Sequence, residues 1–182
     1  MIFTRVQLQA IKADIAANSD LSSQPDNGDG AYAISQLYML PASPDFLVWN
    51  SAVATNAIFD AVTWANLTPT DAPDGTTAWT NRSLACQGKQ FNVQTLLAGR
   101  EVINGARTNI RAGLQDALSN VPSGAGGAAV SGGWANVKIA LTRKATRIEK
   151  LFATGAGTAA TPATMPIEGA VSTQDILDAR AS

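Results

Sequence analysis

Few residue types in this chain can do chemistry, and their spacing decides against most of it. Histidine is absent, which removes the commonest general base, the commonest metal ligand and every Ser-His or Cys-His nucleophile pair. Cys86 is the single cysteine; no internal disulfide or multi-cysteine zinc site can form, which suits a reducing cytosol. Asn27-Gly28-Asp29-Gly30 invites a calcium reading. A calcium loop with Gly30 at its sharp turn needs acids where Pro25 and Gln36 stand, so a loop with a helix cap at Asp26 or Asp29 is the better reading. Asp71 and Asp74 share a loop as a conceivable carboxylate pair, but such loop acids ordinarily form solvated turns. No G-x-x-x-x-G-K-[ST], H-E-x-x-H, G-x-S-x-G or C-x-x-C motif occurs. The glycine clusters at 124–133 and 155–157 lack the strand–loop–helix setting of a phosphate cradle and read as linkers. No catalytic residue, metal ligand or cofactor is assigned; the chain does not read as an enzyme.

What remains is charge. Lys138, Arg143, Lys144, Arg147 and Lys150 lie on a predicted helix from Trp134 to Thr154. Its apolar stripe, Trp134, Val137, Leu141, Ala145, Ile148 and Phe152, recurs at three- and four-residue steps. Arg143, Arg147 and Lys150 fall roughly opposite that stripe. Such a face can neutralise nucleic-acid phosphates, or be solvated, or meet another protein. A net charge of -1 and the want of interleaved aromatics favour the last two. Residues 1–75 carry eight acids against Arg5 and Lys12, whereas 76–182 carry eleven bases against six acids. That split can close within one fold, or set the acidic part of one copy against the basic part of the next.

The elements that must position these groups read as mainly α. Thr4 and Gln7 form a capping box, with Phe3 and Leu8 as the staple, for a first helix that buries Leu8, Ile11 and Ile15 and ends at Asn18-Ser19-Asp20. A second spans Ala31 to Leu40 with Ile34, Leu37 and Tyr38 inward, stopped by Pro41. Ser43-Pro44-Asp45 predicts the start of a third, carrying Phe46, Trp49, Val53 and Ala57 on one side. Residues 63–86 form a long irregular loop bearing Trp64 and Trp79, with a poor hairpin between 63–67 and 77–84. Gln87 to Ser119 is helical around Leu96, Ile103, Ile110, Leu114 and Leu118, with a break expected in Gly99–Gly105. A Gly-rich linker at 122–133 follows. The division expected is a core of five or six helices over 1–154 and a flexible arm over 155–182. A short helix at 172–180, with Ser172 as N-cap and Asp175 on its N-terminus, ends that arm. No apolar run approaches the ~20 residues of a membrane span, and no signal-peptide pattern opens the chain.

Arg143-Lys144-Ala145-Thr146-Arg147-Ile148-Glu149-Lys150-Leu151-Phe152-Ala153-Thr154-Gly155, then Thr161-Pro162-Ala163-Thr164-Met165 and Glu168-Gly169, is similar to a family of small tailed-bacteriophage proteins. Asp29-Gly30-Ala31-Tyr32 and Pro41-Ala42-Ser43-Pro44-Asp45-Phe46 carry the same resemblance. It runs through most of the chain, is strongest over 143–171, and is weakest over 62–83 and 121–133. It implies a virion protein, made and assembled in the host cytoplasm. Joined to a helical core, a split charge and an arm, it resembles a head-to-tail adaptor of the phage neck, a ring beneath the portal. The partners implied are further copies of the chain, the portal and neighbouring neck or tail proteins, with DNA passing through unread. The interface residues this suggests are Lys138, Arg143, Lys144, Arg147 and Lys150, with Met165, Ile167, Ile176 and Leu177 from the arm. A capsid-associated or tail-tube role, or a DNA-binding accessory role, is the alternative.

Overall fold

The computed structural model describes residues 3–68, 83–123 and 128–182. In chain order the elements are α1 (Arg5–Ala17), α2 (Ser19–Ser22), α3 (Gly28–Met39), β1 (Leu47–Trp49), β2 (Val53–Ala54), α4 (Thr55–Ala61), a 3-10 turn (Trp64–Leu67), α5 (Leu84–Leu97), β3 (Val102–Ile103), α6 (Thr108–Leu118), α7 (Trp134–Ala140), β4 (Thr142–Lys144), α8 (Arg147–Phe152) and α9 (Thr173–Ala181). The protein is mainly helical. It forms two compact units: unit 1 takes Met1–Val48 and Lys144–Ser182, and unit 2 takes Trp49–Arg143.

Unit 1 is built on local signals that close at a distance. The Thr4 side chain accepts from the Gln7 amide, and the Gln7 side chain accepts from the Thr4 amide at 2.8 Å, so two orphan donors of α1 are satisfied together. α3 is capped by Asn27, which accepts from the Gly30 amide at 2.9 Å. It stops at Met39 because Leu40, before Pro41, is pushed to extended backbone. α8 and α9 open on capping boxes of their own, Thr146 with Glu149 and Ser172 with Asp175. α9 packs on both α1 and α3, and Ile11, Ile34, Tyr38, Ile148, Val171 and Ile176 share one core.

Unit 2 packs α5 on α6 and α7 on α4 and α6, around Ile58, Leu67, Val93, Leu97, Leu114 and Val137. Residue types at the α5–α6 crossing let the helices meet: a Cβ on Gly113 would sit 3.6 Å from Leu96 Cδ1, ordinary contact. β2 and β3 pair antiparallel, Val53 opposite Ile103. The break between α5 and α6 falls in the expected stretch, with Gly99 at φ +66.

Several expected elements take another form. The single helix over 134–154 is two helices with β4 between them. Its stripe is shared out: Val137 and Leu141 belong to the core of unit 2, Ala145 and Ile148 to unit 1. Thr146, a fresh N-cap, starts the second helix where the periodic pattern suggested continuity. The third helix begins at Thr55; the β-favouring run Phe46-Leu47-Val48-Trp49 is extended instead. Trp64–Leu67 is a 3-10 turn and no hairpin strand, with Trp64 Nε1 donating to the Phe59 carbonyl. Of its expected partner strand, 77–82 with Trp79 lies outside the described residues, and Ser83 and Leu84 are the cap and first residue of α5. The glycine-rich linker is held at its end, where the Gly132 amide donates to the Leu118 carbonyl at 2.7 Å.

The largest difference concerns 155–182, expected as a separate arm. The segment belongs to unit 1. The Leu47 amide donates to the Gly157 carbonyl and the Ala163 amide to the Leu47 carbonyl, while Thr154 and Thr164 pair antiparallel. Gly157 has φ +65, and a Cβ there would lie 2.2 Å from the Phe46 ring. The small residues that imitate a linker are what let this segment lie close against its neighbours.

Candidate functional site

Unit 1 carries a cleft of about 680 Å³. One wall, from α1 and α2, presents Asp14, Asn18 and Asp20. The other, from α8, presents Arg147, Lys150 and Leu151, and Leu37, Leu40 and Pro41 at the end of α3 add apolar lining. Acids and bases therefore line the same opening, over apolar surface.

Each acid in it already has partners. Asp14 accepts from the Tyr38 hydroxyl at 2.9 Å and from the Asn18 amide at 3.0 Å. Burial pushes the Tyr38 hydroxyl above its ordinary pKa of 10.0, and the hydrogen bond to Asp14 adds to the shift, so it stays a donor. Asp20 takes both Arg147 nitrogens, at 2.5 and 3.3 Å, a two-pronged carboxylate–guanidinium pair. Those hydrogen bonds are the main cause holding Asp20 below the ordinary aspartate value of 3.8 and raising Arg147 above its own. The Arg147 guanidinium also lies 5.8 Å from the centre of the Tyr38 ring. Lys150 Nζ reaches the Ser43 carbonyl at 3.4 Å and stands 5.8 Å from the Phe46 ring.

The pair at the mouth has a signed pH dependence. A carboxyl with a lowered folded pKa contributes stability above its unfolded pKa, and that contribution is lost as pH falls through the folded value. Asp20 and Arg147 side chains are 53% and 24% exposed, so the effect is small. In urea titrations, Asp20→Asn is expected to lower stability slightly at neutral pH, and the gap from wild type is expected to close as pH falls through the lowered folded value of Asp20 and its carboxylate takes up a proton. A gap that persisted unchanged at acid pH would show that the substitution acts through something other than this ion pair.

The sequence-predicted interface residues are divided between the two units. Lys138 and Arg143 belong to unit 2, while Lys144, Arg147 and Lys150 belong to unit 1. Lys144 pairs with Asp45 at 2.7 Å, and Arg180 with Asp26 at 3.4 Å. With Arg147 and Asp20, these pairs close acids of the first part of the sequence on bases of the last part within a single chain. Met165 and Ile176 are core residues, at 9% and 0% exposure, and Ile167 and Leu177 pack half-buried on the same core as Ile176. Asp14, Asn18 and Asp20 are not legible as site residues in the sequence; Asp20 meets Arg147 only through a sequence separation of more than a hundred residues. The one signal for them is the excess of acids over bases across residues 1–75.

Among the described residues, no group of three or more His, Cys, Asp or Glu is placed to hold a metal ion. No helix among them is long and apolar enough to cross a membrane. No family model matches the chain, and no curated protein or solved structure matches it either.

Proposed function

We propose that this protein is a structural subunit of a tailed-phage particle, a head-to-tail connector that assembles as a ring beneath the portal. The cleft in unit 1 carries the assembly part of this reading. Its acids are engaged by Tyr38, Asn18 and Arg147, so they are poorly placed to shuttle protons, and catalysis by free carboxylates finds no support there. Apolar lining from Leu37, Leu40 and Leu151, rimmed by both signs of charge, suits a segment of a neighbouring protein: the apolar residues supply contact area and the charges set register. The phage part rests on the resemblance of Arg143 to Gly155 and of Thr161 to Met165. Deployment in the virion, after folding in the host cytoplasm, follows from the same resemblance.

Leu40 is 54% exposed and Lys150 reaches the Ser43 carbonyl only at 3.4 Å, so Leu40→Asp with Lys150→Glu alters the cleft without opening a core cavity. Light scattering of the purified protein mixed with its portal is expected to show a complex larger than the portal, and the double variant is expected to lose it. A mixture that scatters as two separate species would overturn the connector reading. Retardation of duplex DNA by wild type in low salt, falling steeply as salt rises, would replace it with the DNA-binding alternative.

A further inference from the structure

We infer that Asn27 is a site of spontaneous covalent modification: its side-chain amide is lost to the Gly28 backbone nitrogen, and the isoaspartate that results loosens α9 from the turn before α3. A base takes the proton of the Gly28 amide, and that nitrogen attacks Asn27 Cγ. The Cγ–Nδ2 bond breaks, ammonia leaves, and a cyclic imide joins the two residues. Water then opens either carbonyl of the ring. One opening gives aspartate; the other gives isoaspartate, in which the main chain runs through Cβ and Cγ. Water is the only co-reactant. Glycine after the asparagine favours ring closure, because no Cβ hinders the turn its backbone must make.

Glycine follows Asn or Asp at three places among the described residues, and the structure opens one of them. At Asp29-Gly30 the Gly30 amide is engaged, donating to Asn27 Oδ1 at 2.9 Å, and Gly30 is buried against the Pro25 backbone. At Asn104-Gly105 the glycine is buried, and its Cβ would stand 2.8 Å from the Asn50 carbonyl oxygen. Asn104 Oδ1 accepts from the Ala106 amide at 3.0 Å, and Arg111 Nη1 donates to the Gly105 and Ala106 carbonyls. That peptide cannot turn toward its side chain without breaking these contacts. Asn27 and Gly28, by contrast, are both exposed. Nothing lies within 4 Å of the place of a Gly28 Cβ, and the Gly28 amide opens α3, where the helix offers it no carbonyl. The hydrogen bond from Gly30 to Asn27 Oδ1 draws charge from Cγ, the atom under attack.

The surroundings give the product its effect. Arg180 of α9 donates to the Gln24 and Pro25 carbonyls and pairs with Asp26 at 3.4 Å, while Gly30 of α3 lies against Pro25. Asn27 links that turn to the helix. Aspartate there keeps the cap oxygen and adds negative charge at the helix N-terminus, which the dipole favours. Isoaspartate lengthens the main chain between Pro25 and Gly30 by one carbon. Its remaining carboxylate sits directly on Cα, one carbon short of the cap position. The cap is lost, Pro25 leaves its seat on Gly30, and the carbonyls that Arg180 holds move with it. None of this needs the connector reading.

Full-length protein held for days in warm, mildly alkaline buffer is expected to gain an acid in place of the amide at Asn27. Peptide mapping should find that rate at least tenfold above the rate at Asn104, and isoaspartyl methyltransferase should label the Asn27 peptide. Gly28→Ala, whose Cβ enters open space, should slow the loss at least tenfold. Hydrogen exchange should show the amides of α9 at least tenfold less protected in the isoaspartate fraction than in fresh protein, and Asn27→Asp made directly should keep them protected. The inference is overturned if Asn27 stays an amide, if Asn104 reacts as fast, or if Gly28→Ala reacts like wild type. It is overturned equally if isoaspartate leaves α9 as protected as before, or if Asn27→Asp exposes α9 to the same extent.

Discussion

A chain ended after Thr154 is expected to lose the fold of unit 1. Removal of 155–182 takes away Met165, Val171 and Ile176, all buried, and uncovers the α1 and α3 surfaces on which α9 lies. Burial of three such side chains amounts to roughly 5–9 kcal/mol, comparable with the ~5–15 kcal/mol by which a whole domain is stable. Arg180 goes as well, and with it the hydrogen bonds to the Pro25 and Gln24 carbonyls that tie α9 to the loop before α3. Far-UV circular dichroism of the truncated chain should show loss of helix beyond that of α9, and Ile176→Ala in the full chain should cost about 2–5 kcal/mol in urea. A truncated chain that keeps the remaining helices with a cooperative melt would show 155–182 to be a dispensable arm after all.

Two glycines two residues apart are expected to respond in opposite directions. A Cβ on Gly30 would fall 1.9 Å from the Pro25 carbonyl oxygen, with Pro25 C and N also inside 3.0 Å. These are backbone atoms, held by Arg180 and by the turn before α3, and cannot swing aside as a side chain end would. Gly30→Ala therefore has to displace the cap of α3 from its Asn27 hydrogen bond, at a cost of about 3 kcal/mol or more. Gly28, in the same turn, has nothing within 4 Å. Gly28→Ala should raise stability by roughly 0.4–1 kcal/mol, because it restricts the unfolded chain. Chemical denaturation of the two variants beside wild type decides the matter. Equal effects at the two positions would mean that the close approach of Pro25 to Gly30 is not what selects glycine.

The cleft is a tertiary product, whereas the ends of several helices are local ones. Capping boxes are exchanges between residues three apart, so Thr4 with Gln7 and Ser172 with Asp175 are visible in the order of residue types alone. The buried stripe of α1 and the break between α5 and α6 are visible for the same reason, since helical periodicity and interior glycine act within a few turns. The box at Thr146 and Glu149 is equally local, yet an apolar repeat runs straight across it. Only the partition of that repeat between two cores decides that the helix must stop before Thr146.

Long-range partners leave no such trace. Arg147 meets Asp20 across 127 positions and Arg180 meets Pro25 across 155, and nothing in either neighbourhood names the other. The tail is the plainest case. Gly, Ala, Thr and Pro look like a linker because they offer little area to bury. In the folded chain the same smallness lets Gly157 lie on the Phe46 ring and Ala163 enter a core, with backbone hydrogen bonds to Leu47 supplying what the side chains do not. Composition determined that this segment could not fold alone; the surface waiting for it at 46–48, which only the tertiary structure creates, decided that it folds at all.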